Sequence, residues 1–568
     1  MHPTSGYDMD STDECGGKRE EQPKCHRNSP RFIDRITIDV RRVKEVRNVE
    51  LINAQRNLSS SPSIDRETTI LTWQQGDPDD PHNWSTAKKT WIFITLMLII
   101  LNSCIGSSLT SNGIPFIVKE FGVKSQPQRV LPISVYLIGT QVPCDLKRTN
   151  SEEGYVFGPI VWAPLSEQFG RRDITIGTFI LFVLFTMACA LAPSWPTLLI
   201  FRLLSGVFAS APIAVVTGIL ADIYQDSTTR GRSIAVYMII TAFGPLIAPI
   251  LSGFVSPTLG WRWSFWIALM FAGCTLVPLV VLPETNAAVL LRRRATNLHG
   301  SQRSLSKLGG LENRSTKISI TTLLMRPLHM LVFEPITSAS SAYLALCYSI
   351  FYMSFQAFPI IFQDLYGLSP GTCGLTYLPI GAGVVISLPI LWWYDRILLS
   401  AQKSQRPWAH REEYRRLPIA CLGGPIFALS LFWLGWSARE SVSFVVPMLA
   451  GIPFGFGFIC IFIALLNYLT DAYEIYAASA NAASSFTRSL LATVLPLATT
   501  PMFEKLGIAG ACSLMGGITA LMCIIPFIFI WKGDRIRANS KFCIMLKKRK
   551  EERSAHLANY HYSEETTL

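Results

Sequence analysis

Eleven apolar runs of about twenty residues, each nearly free of charge, leave this chain few ways to fold. They lie near residues 91–111, 173–191, 198–221, 233–255, 263–282, 338–362, 374–394, 417–436, 444–467, 479–499 and 508–531. A helix of about 20 residues crosses the ~30 Å hydrocarbon core of a bilayer, and it satisfies its own backbone while doing so. Only 16% of the 568 residues are charged, where a soluble chain carries about 25%. The charges fall mostly between the runs, so the net +12 reads as membrane-topology charge and not as a nucleic-acid footprint. An all-α membrane protein is the expected class.

A twelfth run is interrupted. Residues 131–139 and 155–165 are apolar, and between them lies TQVPCDLKRTNSEEG, residues 140–154. Its charges cannot sit in hydrocarbon, where each costs ~2.5–3.5 kcal/mol at a helix centre. Joined directly, the flanks make one helix of ordinary length. Two readings of 140–154 stand: a retained intron in the gene model, favoured by the kept frame and clean flanks, and a genuine loop insertion. The second flank continues into GPIVWAPLSEQFGRR, residues 158–172, a short basic turn between two spans.

With the interrupted run counted, twelve helices form two six-helix lobes, 90–283 and 338–532, around a linker at 284–337. Residues 1–89 read as a disordered tail by composition, and 533–568 as a second tail. Lys and Arg concentrate in the tails, at Arg171/Arg172 and Arg230/Arg232, in the linker, at 396–416 and at 547–550. The positive-inside rule puts all of these, and both termini, in the cytoplasm. Six plus six about a long linker is the layout of a transporter built from repeats. A faint echo supports duplication: ILWWYDR at 390–396 follows the eighth run as APLSEQFGRR follows the second.

Several classes are disfavoured. The 13 cysteines include no C-x-x-C pair, and the eight histidines lie outside the runs. Neither a disulfide or zinc framework nor a membrane-embedded enzyme is expected. No Walker A motif marks ATP-driven transport, and no signal peptide is visible. No cofactor is anticipated, and the partners are a lipid bilayer and a small-molecule substrate, with a monomeric chain.

Some polar residues stand out against the apolar background. Glu167 and Arg171 are one helical turn apart and can pair. Arg202 and Arg488 lie inside runs, where charge is costly and usually serves a cavity or a partner. Gly244, Ala248 and Ser252 form a small-residue stripe that permits close helix approach, beside Pro245 and Pro249. Asn102, Gln356 and Asn467 are further polar positions, each equally readable as an interhelical hydrogen bond.

These signatures, in order, resemble the major facilitator superfamily and its fungal drug:proton antiporter group. They are DPDDPHNWS, APLSEQFGRR, FRLLSG, GPLIAPILSG, GWRWSFW, PET with RRR, RPLHMLVFEP, QAFPIIF and NYLTDAY, all within 77–532. The resemblance implies a gating latch at Glu167, Gly170, Arg171 and Arg172, and a proton-coupling role for Arg202. It also implies an antiporter-type helix at Gly244, Pro245, Ala248, Pro249, Ser252 and Gly253, with Ala248 and Ser252 replacing usual glycines. Helices 1, 4, 7 and 10 line the cavity in this superfamily, making Asn102, Gln356 and Phe355 substrate-contact candidates, with Asn467 and Arg488 beside them. Gln356 stands where many relatives carry Glu, and no run holds a central carboxylate. Asp222 and Glu167 are the remaining proton-loading candidates. The implied function is a plasma-membrane, proton-driven exporter of drugs, toxins or polyamines. A transporter-like nutrient sensor and a non-functional mis-spliced product are the alternatives.

Overall fold

Helices account for every regular element in the computed structural model, which describes residues 73, 76–140, 158–299, 320–473, 476–540 and 542–545. In the first half these are α1 (Thr86–Ser108), α2 (Ile114–Phe121), α3 (Gln126–Gly139), α4 (Gly158–Phe169), α5 (Arg171–Ala190), α6 (Trp195–Ile223), α7 (Ser227–Thr258) and α8 (Arg262–Val280). Then come α9 (Ala287–His299) and α10 (Ile320–Phe333), within the stretch expected to be linker. The second half holds α11 (Pro335–Phe358), α12 (Pro370–Leu375), α13 (Leu378–Lys403), α14 (Glu412–Ser437), α15 (Val445–Leu449), α16 (Gly451–Tyr473), α17 (Ala477–Val494), α18 (Thr499–Met522) and α19 (Ile524–Asn539).

Among the described residues, ten stretches are long and apolar enough to cross a membrane. The chain is a multi-pass, all-α membrane protein. The last stretch, Ser479–Asn539, has 61 residues. As one straight helix it would measure about 90 Å, three times the hydrocarbon core. It is broken at Gly507, whose φ of 69° and ψ of 174° are non-helical, a conformation open to a residue without Cβ. Residues 141–154 of the suspected insertion lie outside the described residues. Its flanks are α3 and α4, of 14 and 12 residues.

Local chemistry sets the helix ends. Asp80 accepts from the His82 amide at 3.0 Å and caps the turn Pro81–Asn83, and Ser85 caps α1 by accepting from the Lys88 amide at 3.4 Å. Asp77 of the same entry segment pairs with Arg294 of α9 at 2.5 Å. The first run was expected to continue to 111, but α1 stops at Ser108 and the chain turns through 109–113 before α2. The eighth run was expected to end by 394 with Asp395 at a helix terminus. Instead α13 runs on to Lys403, because no glycine follows Asp395 as Gly170 follows Phe169. Likewise α16 runs on to Tyr473, so Asn467 lies inside a helix.

The two largest apolar cores among the described residues divide by sequence. One draws on Ile92 to Leu282, the other mainly on Met330 to Phe529, with Ile133, Leu137, Ile239, Ala242 and Leu246 joining the second from the first half. Small residues bring helices close, as membrane packing requires. Added at Gly206, a Cβ would stand 3.1 Å from the Tyr136 carbonyl carbon, so α6 touches α3 backbone to backbone. The halves meet where α12 packs on α7: the Asn112 amide donates to the Pro370 carbonyl at 3.2 Å, and a Cβ at Gly374 would stand 2.8 Å from the Pro249 carbonyl. Further in, Ser134 of α3 donates to the Thr493 carbonyl of α17 at 3.1 Å.

Candidate functional site

The turn between α4 and α5 carries the first cluster. Gly170 has φ 110°, and a Cβ there would stand 2.5 Å from the Glu284 carboxylate. That carboxylate sits on the N-terminus of α5. It accepts from the Arg171 amide at 2.9 Å and the Arg172 amide at 3.2 Å, where a helix leaves amides unpaired and its dipole favours an anion. The buried Arg171 side chain reaches the other way. Its Nε donates to Asp222 at 3.0 Å, its Nη1 to Ser166 at 2.8 Å, and its Nη2 stands 3.6 Å from Glu167. Arg172 donates to the Val280 carbonyl at 3.0 Å. Glu167, Gly170, Arg171 and Asp222 are thus brought together. Glu284, the middle residue of PET, is the member that residue-by-residue reading passed over.

The second half has a matching pair. Arg416 near the start of α14 stands 3.4 Å from Asp471 near the end of α16, as Arg171 at the start of α5 meets Asp222 at the end of α6. The two pairs thus occupy corresponding places in the two halves. Arg537 of α19 pairs with the buried Glu413 of α14. Buried Glu334 accepts from Tyr473 at 3.1 Å and the Phe542 amide at 3.4 Å.

Arg202 is 1% exposed and does not reach the membrane surface by snorkelling. Its Nη1 donates to the Gly106 carbonyl at 2.7 Å, Nη2 to Ser107 at 3.1 Å and Nε to Pro132 at 3.0 Å. Gly106 and Ser107 are in the last turn of α1, where carbonyls lack intrahelical donors and a cation is favoured. Tyr136 lies under the guanidinium at 4.6 Å, and its hydroxyl donates to the Ser103 carbonyl at 2.6 Å.

The proline helix α7 is held to the break after α1. Pro249 has no N–H, so the Pro245 carbonyl has no helical donor. Ser108 supplies one, at 2.7 Å. Asn112 donates to the Pro249 carbonyl at 3.0 Å as well as to Pro370. Gly244 lies against Cys104 of α1, Gly253 against Pro370, and Ala248 and Ser252 are fully buried. The whole 244–253 stripe thus faces α1 at one end and the second half at the other. Asn112 was not singled out from sequence, although its place in the TSNG turn after an apolar run was the available signal.

Between the halves lies a cavity of about 150 Å³. Its walls are α1, α3, α6 and α7 on one side and α11, α16 and α17 on the other. Tyr352 of α11 spans it, donating to Ser107 of α1 at 3.1 Å. Arg488 of α17 lines it, its guanidinium over Phe462 at 4.8 Å and Tyr348 at 5.6 Å, with Nη2 donating to Ser485 at 3.2 Å. The other cavity candidates lie elsewhere. Asn102 is turned to Thr275 of α8 at 2.8 Å and to the Leu98 carbonyl. Phe355 packs at 1% exposure among Phe351, Tyr352 and Tyr377. Gln356 is outside the lining, its Oε1 buried with no donor among the described residues, and Asn467 is one residue past the lining Leu466. Helix periodicity turns Asn102 and Asn467 from the cavity, whereas Phe355 and Gln356 lie a turn beyond Tyr352 along α11. Among the described residues, no group of three or more His, Cys, Asp or Glu is placed to hold a metal ion.

Comparison with known proteins adds to this geometry. The family model described as Major Facilitator Superfamily matches residues 96–496. The MFS-type efflux pump MFS2 of Trichophyton rubrum is 34% identical over 504 residues, covering 86% of this chain and 80% of that protein. Polyamine transporter 4 of Saccharomyces cerevisiae is 32% identical over 517 residues, covering 86% and 75%. Among solved structures, the proton:xylose symporter XylE bound to 6-bromo-6-deoxy-D-glucose aligns with a TM-score of 0.56 at 16% identity, covering 79% of this chain and 96% of that one.

Proposed function

The chain belongs to the Major Facilitator Superfamily and is a membrane transporter, not an enzyme, and from that premise we propose that it is a proton-driven exporter of small organic molecules. The observation that carries this reading is the cavity shared by the two halves beside a closed end. Alternating access needs a mid-bundle site at the interface of two bodies that rock against each other. The contacts of Asn112 with Pro370 and of Gly374 with Pro249 close one end. Rocking that parts them would open the cavity on that side.

In this reading twelve spans form lobes at 90–283 and 338–532, with 284–337 as linker and 1–89 and 533–568 as tails. The count adds an interrupted span made of α3 and α4 to the ten stretches, and divides 479–539 into two. The positive-inside rule supports cytoplasmic termini and a cytoplasmic Arg171–Asp222 end, and this reading takes the chain as a plasma-membrane monomer. The closed end then faces outward. The proton would act at Asp222 or Glu167, by loosening the hold of the carboxylates on Arg171. Export as the direction is supported by the efflux pump among its relatives.

The test is a panel of drugs, toxins and polyamines in a pump-deficient yeast expressing the chain, with and without a protonophore. The expected result is lowered accumulation of some compounds, restored by the protonophore. No change in any compound, with the protein in the membrane, sinks the exporter reading.

A further inference from the structure

We propose that the cavity takes an organic anion, an aromatic or apolar monocarboxylate whose carboxylate docks on Arg488. The inference rests on the exporter reading above and names the substrate class of the same site.

Among the described residues lining the cavity, Arg488 is the one charged side chain, and none is acidic. Among the described residues it pairs with no carboxylate. A guanidinium offers five N–H donors, and the hydrogen bond to Ser485 uses one. The contrast with Arg202 is informative. That arginine lies in the same bundle and is satisfied by three backbone carbonyls, as a structural arginine should be. Arg488 is partly exposed where Arg202 is closed off. An intramembrane cation left with open donors calls for an anion supplied from outside the chain, and a planar fork suits a carboxylate two bonds at a time.

The rest of the wall sets the ligand's other end. Phe351, Phe458 and Ile459 offer apolar surface, while Ser103, Ser107 and Ser489 give small polar contacts. A cationic ligand finds this site occupied. The ring faces of Phe462 and Tyr348 that would receive an ammonium are already covered by the Arg488 guanidinium. A polyamine would bring more positive charge to a cation with no carboxylate in the wall to offset it.

Thermal stability of the purified full chain in detergent tests this with three probes on one scaffold: 4-phenylbutyrate, 4-phenylbutan-1-ol and 4-phenylbutylamine. The expected result is stabilisation by the carboxylate above the alcohol and none by the amine. Arg488→Gln should weaken carboxylate binding by about tenfold to hundredfold, leaving the alcohol unchanged, and Arg488→Lys should retain part of it. The wild-type order among the probes stands as a test even if Arg488→Gln fails to fold. Equal stabilisation by the acid and the alcohol, preference for the amine, or the same stabilisation by sodium chloride as by the carboxylate overturns the proposal. Because binding is read apart from transport, a chain that binds the acid but exports nothing sinks the exporter reading and leaves the anion site.

Discussion

Arg171 and Asp222 meet at 3.0 Å across α5 and α6, while Glu284 holds the backbone amide of the same arginine at 2.9 Å. One residue is thereby gripped twice, by its side chain from the end of α6 and by its main chain from the loop between α8 and α9. The side chain and the helix start of this junction are therefore held by different carboxylates.

Arg171→Ala should strand Asp222 at a site where its side chain is 24% exposed. The expected loss is about 2 kcal/mol, below the ~3–5 kcal/mol of a fully buried broken pair because water reaches the carboxylate. Asp222→Asn keeps an acceptor and should cost less stability but reduce proton-driven efflux. Melting curves and efflux rates measured on both variants check this. Equal melting of Arg171→Ala and wild type would remove the pair from the fold's support.

Arg202→Lys should not substitute for Arg202. One ammonium cannot reach three carbonyls in a plane, and each buried carbonyl left alone costs about 1–3 kcal/mol. Both Arg202→Lys and Arg202→Ala should melt well below wild type, with Lys the milder. A lysine variant that melts like wild type refutes the capping role at the end of α1.

Asn112→Ala removes the amide that bridges α7 and the second half. A modest loss of about 1 kcal/mol at the closed end should populate the opened state. Cys104 lines the cavity and is the readout. A membrane-impermeant maleimide added outside cells should label it faster in the variant, with all other cysteines replaced. Unchanged labelling argues that this contact does not hold the end closed.

Glu120 sits outside the spans, its carboxylate bonded to Arg262 at 2.5 Å and Trp261 at 2.6 Å. Burial pushes its carboxyl up, but the bonds from Arg262 and Trp261 outweigh that and hold it below its ordinary range. A carboxyl lowered in the folded state stabilises at pH above its unfolded value, and that contribution is lost as pH falls through the folded one. Wild type should therefore lose stability on acidification below the ordinary carboxylate range more steeply than Glu120→Gln. Parallel melting profiles from pH 3 to pH 7, about the full titration window, would dismiss the effect.

Deleting residues 140–154 joins α3 to the run that enters α4. Neither helix alone, at about 21 and 18 Å, spans the ~30 Å core. The shortened chain should reach the membrane in greater amount and transport at least as well. Sequencing the spliced transcript decides the origin, and a message that keeps the segment and makes active protein excludes the intron.

Much of the architecture was legible in the residues because hydropathy is a local quantity. The runs, the break before 508 and the short turn at Gly170 are each set by what a stretch of chain does in lipid or at a turn. The sequence by itself determined a multi-pass helical transporter, a short charged turn at Glu167–Arg172 and two costly arginines inside the apolar runs. Only the tertiary structure decided what those arginines do, since their partners are distant in sequence. Arg202 finds its carbonyls about 70 and 95 residues away, and Glu284 reaches 113 residues back to the Arg171 amide. Arg488 opens into the cavity, Asn102 turns away from it, and Phe355 and Gln356 lie a turn beyond its wall along α11. Helix rotation and depth decide that, and both are set by packing against neighbours, which no single run contains.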